Sequence, residues 1–199
     1  MRYKLSDRAL KMKSMHTNLT LRKNCGNTIE VTPRCSEHLR AHPDLEKILV
    51  AVLLEVKLTD SPILEQEVDM GEIVGQSSRV ATPAFSPQDE MMFAHRVNRF
   101  GASRVIEQLQ LGDETSIVSV ILKRVRPSHF HLITAWVGTL ARKEPWDPTI
   151  SSECERQKCL EFWCQNALIY DPKVMGPIYK STWSAELEKV DVRFPLLPR

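Results

Sequence analysis

Apolar residues follow a helical period early in the chain and a strand period in its middle. From Asp44 to Leu58 (DLEKILVAVLLEVKL), Leu45, Ile48, Leu49, Val52, Leu53 and Val56 recur at three-and-four spacing. That predicts an amphipathic helix with one wide apolar stripe. Just upstream, TIEV makes a short strand from Thr28, and Thr32-Pro33 supplies a cap and a first-turn proline that start a helix. Pro43 disfavours helical geometry at His42, so this first helix ends by Ala41, and Pro43 can open the next. Residues 1–26 have no sustained period and read as an N-terminal arm, with a short strand around Asn18–Leu21.

After Thr59 the pattern shortens. Ser61-Pro62, Gly71, Gly75 and Ser77-Ser78 punctuate extended pieces, predicting one irregular hairpin through Glu67–Val74 and Ser78–Ala81 before Ser86-Pro87 closes the loop-rich section. Met91–Asn98 alternates imperfectly and predicts a strand, with a helix as the alternative. A turn at Phe100-Gly101 leads to a strand over Ser103–Ile106, and Gly112-Asp113 makes another turn. Ile117–Val125 and Phe130–Gly138 are rich in β-branched residues. Short links favour antiparallel pairing, so these four strands are expected as a meander. Cys154–Leu168 and Trp183–Val190 predict helices, the second followed by the extended tail RFPLLPR. The expected fold is α+β in one domain, residues 27–199: N-terminal helices packed on a four-stranded antiparallel sheet, followed by C-terminal helices.

Composition constrains the partners more than the fold. With 27 basic and 25 acidic residues the net charge is +2, too balanced to argue for nucleic acid or an anionic membrane from charge alone. No apolar run approaches a membrane span, and the N-terminus lacks the apolar centre of a secretory signal, so a cytoplasmic location is expected. The five cysteines include no CxxC pair. Cys154, Cys159 and Cys164 would rotate by about 140° at each helical step of five, so they do not share a face to bind zinc. No glycine-rich strand-to-helix turn announces a dinucleotide fold or a P-loop, and no cofactor is expected.

The candidate chemistry lies between Met91 and Asp147. Arg96, Arg99 and Arg104 cluster around one turn, and a guanidinium is a planar fork suited to phosphate oxygens. His95 is a candidate proton-transfer group, because an imidazole titrates near neutral pH. Strand alternation puts His95 and Arg96 on opposite faces, and leaves open which of them Arg104 joins. In SHFHLITAWVG, Thr134 and Trp136 share a face, a hydroxyl beside a surface on which a base can stack. His129 and His131 share the other face at a spacing that can ligate metal. No matching carboxylate or cysteine pair accompanies them, so no metal is expected, and a metal-hydrolase use of the two histidines stands only as a distant third option. Glu144-Pro145-Trp146-Asp147 offers carboxylates that can hold an arginine of the site or cap the next helix.

The C-terminal half resembles a family of short, uncharacterised bacterial proteins. The resemblance rests on RVNR at Arg96–Arg99, SRV at Ser103–Val105, Thr115 opening TSIVSVIL, LITAWVG at Leu132–Gly138, EPWD at Glu144–Asp147 and FWCQNALIYDP at Phe162–Pro172. Asn166 stands where relatives commonly show histidine. More distantly, helices followed by a four-stranded antiparallel sheet look like the metal-independent endoribonuclease toxins of the barnase, colicin and RelE type.

Two functions are therefore expected as alternatives. The first is a metal-independent endoribonuclease, a toxin or defence effector in which a ribose 2′-hydroxyl attacks the adjacent phosphorus. Arg96, Arg99 and Arg104 would stabilise phosphate, His95 move the proton and Thr134 orient the phosphate. Trp136 and Thr115 would contact substrate, RNA would be the partner, and a cognate neutralising protein is a further one. The second is a non-catalytic protein-interaction module of a mobile genetic element, docking through its sheet or the Trp163 helix.

Overall fold

The computed structural model of the chain describes residues 19–23, 26–39, 43–97, 99–107 and 112–193. The expected arm up to residue 18, the end of the first helix near Ala41, the strand end at Asn98 and the tail beyond Arg193 lie outside the described residues.

In chain order the elements begin β1 (Leu19–Arg22), β2 (Thr28–Val31), α1 (Pro33–Leu39) and α2 (Pro43–Glu55). Short strands follow: β3 (Ile63–Asp69), β4 (Gly75–Gln76), β5 (Arg79–Ala81), β6 (Met91–His95), β7 (Ala102–Ile106) and β8 (Glu114–Thr115). The chain continues with β9 (Ile117–Arg126), β10 (His129–Val137), α3 (Glu153–Gln165), β11 (Asn166–Ile169), β12 (Tyr179–Ser181) and α4 (Trp183–Arg193). They form two compact units. The first holds the described residues up to Val74 together with Ser116–Trp136, and the second holds Gly75–Thr115 and the chain from Val137 on.

In the first unit a five-stranded sheet runs in the order β1-β2-β10-β9-β3. β10 lies parallel to β2, with Ile29 opposite Phe130 and Glu30 opposite His131. β3 is antiparallel to β9 from Ile63↔Lys123 to Asp69↔Ile117. Thr32 caps α1, its hydroxyl accepting from Cys35 N at 3.3 Å. The apolar stripe of α2 does what its spacing requires: Leu45, Leu49, Val52 and Leu53 pack with Ile29, Val31, Val120, Leu122, Phe130 and Leu132 in one core. Burying each such side chain contributes about 1.5–3 kcal/mol.

In the second unit the sheet order is β12-β6-β7-β11-β5, with β4 and β8 pairing as a separate ribbon. β7 runs antiparallel to β6 and parallel to β11. Its core gathers Met91, Phe93, Ala102, Trp146, Trp163, Cys164 and Trp183. Phe93 meets Trp183 edge-on, with ring centroids 4.9 Å apart.

This architecture corrects the expected fold class. Most of the described elements are strands, in sheets of five, five and two, and they include no four-stranded meander carrying N-terminal helices. The strands expected in one meander divide, β6 and β7 joining one sheet and β9 and β10 the other. The expected hairpin does not form either, because β3 pairs β9, β4 pairs β8 and β5 pairs β11. Local pattern marked where strands lie, but their partners are set by contacts distant in sequence. The helix expected to reach Leu168 stops at Gln165, where Asn166 turns extended at φ −135° and ψ 150°. There Asn166 Nδ2 donates to Phe162 O at 2.8 Å, satisfying a carbonyl that the helix leaves orphaned. Among the described residues no helix is long and apolar enough to cross a membrane.

Candidate functional site

The register of β6 and β7 decides where the expected catalytic residues go. Phe93 lies opposite Arg104, Ala94 opposite Ser103 and His95 opposite Ala102. Directly opposed residues share a face, so alternation puts His95, Phe93 and Arg104 on one side and Ser103 on the other, with Arg96 reaching over to it.

Arg96 is committed to a structural knot. Its Nη2 meets Glu144 Oε2 at 2.6 Å, and its Nε donates to Ser103 Oγ at 3.0 Å. Ser103 Oγ in turn donates to the other oxygen of the Glu144 carboxylate. Glu144 is buried, so the bidentate grip of the guanidinium and hydroxyl replaces its lost water. Of the two roles open to the EPWD carboxylates, holding an arginine is the one Glu144 fills. Trp146 of the same loop donates its indole N–H to Ala102 O at 2.7 Å. Its ring covers Gly101 so closely that an added Cβ would stand 2.4 Å from it, which requires glycine at that turn. Arg99 lies on the surface of the turn, and its backbone N–H donates to Arg96 O at 3.1 Å.

Arg104 is buried, with 3 % of its surface exposed. Its Nη1 donates to Trp163 O at 2.9 Å and Asn166 O at 3.3 Å, and its Nη2 to Thr82 Oγ1 at 2.8 Å. The Phe85 ring covers it, its centroid 4.7 Å from the guanidinium carbon. The two carbonyls belong to the end of α3, where the helix dipole places partial negative charge. Burial lowers the Arg104 pKa, yet a guanidinium stays protonated in proteins. No carboxylate pairs with it among the described residues. Three of its five N–H groups serve these bonds, and two are left over.

Arg104 lines a hollow of about 450 Å³ in the second unit. Its walls are largely apolar: Ala81, Pro83, Phe85, Met91, Met92 and Ile106. Glu90 and Lys180 also line it and pair with each other at 2.8 Å. Hollows of this size and character are the usual seats of small ligands, where a few polar groups fix orientation.

His95 is exposed at the end of β6 and stacks against Tyr179, their ring centroids 5.8 Å apart. Tyr179 Oη lies 3.4 Å from His95 Nε2 and donates to Glu186 Oε2 at 3.0 Å. Burial raises the Tyr179 pKa, and the negative charge and hydrogen bond of Glu186 add to the rise. Burial pushes Glu186 upward too, but bonds from Lys189, Ser181 and Tyr179 outweigh it and hold the carboxyl below its usual range. Sequence reading missed Tyr179, Glu186 and Ser103. Ser103 entered only as part of SRV and the other two belong to no spaced motif, and only the pairing of β12 with β6, Tyr179 opposite Phe93, brings Tyr179 beside His95.

Thr115 lies half-buried in β8, opposite Gly75 of β4. Thr134 and Trp136 belong to β10 in the first unit, both half-buried, while Phe130 and Leu132 on their strand face enter its core. The opposite face of β10 carries His129 and His131. Their Nε2 atoms each stand 3.3 Å from Glu30 Oε2, so the carboxylate absent from their sequence neighbourhood arrives on β2.

No family model, no curated protein and no solved structure matches this chain.

Proposed function

We propose that the chain is a non-catalytic binding module, and that its second unit receives an apolar group ending in a carboxylate. The observation that carries this is the Arg104 guanidinium: a buried cation, unpaired with any described carboxylate, at the edge of an apolar hollow with two N–H groups to spare. A carboxylate there gains charge-assisted bonds in a setting of low dielectric, while its hydrocarbon body covers the methionines and Phe85. The carboxylate can come from a small free acid or from the C-terminus of a partner chain. Calorimetry with octanoate, octanol, and a leucine-ended peptide in free-acid and amidated forms separates these sources. Each charged hydrogen bond is worth about 1.5–3 kcal/mol, so the acid should bind about tenfold or more tighter than its neutral counterpart. Equal affinity for acid and alcohol, or no binding of any probe, rejects the proposal.

The endoribonuclease reading is the second, favoured by one observation: His95 is exposed and touches a tyrosine that itself bonds a buried carboxylate. In that reading His95 takes the 2′-hydroxyl proton and the surface Arg99 faces phosphate. Arg96 enters it already engaged by Glu144. Labelled RNA incubated with the protein in EDTA should give fragments ending in cyclic phosphate, and His95→Ala should remove them. Intact RNA rejects this reading and leaves the first untouched.

A further inference from the structure

The outer face of the first unit's sheet carries a second arrangement, independent of the hollow. His129 and His131 are two residues apart on β10 and so project from the same face. β2 runs parallel beside it with Glu30 opposite His131, which brings one carboxylate between two imidazoles. The ligand atoms of all three lie within 4.8 Å of one another. All three side chains are partly exposed, at 16 %, 33 % and 25 % for His129, His131 and Glu30. The apolar core lies on the other side of the strands, since Ile29, Val31, Phe130 and Leu132 alternate with them.

We propose that Glu30, His129 and His131 bind a divalent transition metal, with Zn²⁺ as the best fit. Two imidazoles and one carboxylate are a known zinc donor set, which leaves a fourth position to water or another ligand. In a tetrahedral site with bonds of about 2.0–2.1 Å, neighbouring donor atoms stand about 3.3–3.4 Å apart. Both Nε2-to-Oε2 separations are 3.3 Å. The two nitrogens close the third edge by moving together by up to about 1.5 Å, within reach of small χ rotations by partly exposed rings on one strand. The rings already stand at 72° with centroids 5.5 Å apart, a tilt that lets both nitrogens point at one spot. Metal would also join β2 to β10, strands whose parallel pairing spans only three residues.

Tag-free protein stripped with EDTA is titrated with Zn²⁺ by calorimetry and with Co²⁺ by visible absorption. One equivalent should bind, and Co²⁺ should show the intense d–d bands of a four-coordinate site. Losing a supporting contact costs a metal site about 10–100-fold in affinity, so removing a ligand with His131→Ala or Glu30→Gln should cost about 100-fold or more. His95→Ala, a surface histidine of the other unit, should bind as the parent does. Circular dichroism checks that each variant is folded, and His129→Gln gives an independent third ligand loss. Absence of one-equivalent binding, or equal affinity in the ligand variants, overturns the site and leaves a hydrogen-bonded Glu–His cluster. Neither outcome bears on the Arg104 hollow.

Discussion

The two units solve burial in opposite ways. The first buries a hydrocarbon core between α1, α2 and one face of its sheet, with Ser36 and Ser119 its buried polar residues and no buried charge among those described, and keeps Glu30, His129 and His131 on the outer face. The second buries Ser103, Arg104, Glu144 and Glu186 alongside its tryptophans and must satisfy each of them. A hydrocarbon core needs only volume and pattern, whereas a buried charge needs named partners at fixed distances. In the second unit one of those buried polar groups, Arg104, also lines a hollow.

Breaking each unit by its own kind of contact tests this contrast. The largest effect is expected from Leu53→Ala in α2, fully buried in the first core. It should cost about 3–4 kcal/mol in urea unfolding, with amide exchange rising across the first unit's sheet. Arg104→Met should cost about 3 kcal/mol, because it strands the Trp163 and Asn166 carbonyls. Its amide exchange should rise in α3 and β11 while the first unit stays protected. If Arg104→Met is neutral or stabilising, the guanidinium is not holding the helix end. The smallest effect comes from acid. Glu186 has a depressed pKa when folded, so its contribution is present above the unfolded carboxyl pKa and is lost as pH falls through the folded value. Amide protection of α4 and β12 should therefore drop below about pH 4.3. Glu186→Gln should lower protection at neutral pH and flatten that acid dependence, and an unchanged profile would contradict the assignment.

The first unit was the more legible from sequence for the same reason. The three-and-four spacing of Leu45 to Val56 gives α2, Thr32-Pro33 gives the start of α1, and β-branched runs give β9 and β10 within a residue or two. Pairing was not legible. Nothing near His129 reveals that Glu30, 99 residues earlier, would come beside it. Strand alternation correctly separated His95 from Arg96, but only the Phe93↔Arg104 register placed Arg104 on the His95 side. Burial was the larger surprise. Arginines at strand ends read as solvent-facing forks, while Arg104 is covered by Phe85 and Arg96 is tied to Glu144. A local pattern reports which residues alternate, and not which of them a distant loop will cover.

The two N–H groups of Arg104 left over by its bonds are read directly by side-chain NMR of the Nε–Hε and Nη–Hη signals. Titration with octanoate should give saturable, downfield shifts of Arg104 guanidinium protons, with octanol producing none at the same concentration. Guanidinium signals that ignore the acid, or that move equally for acid and alcohol, would contradict the proposed carboxylate binding.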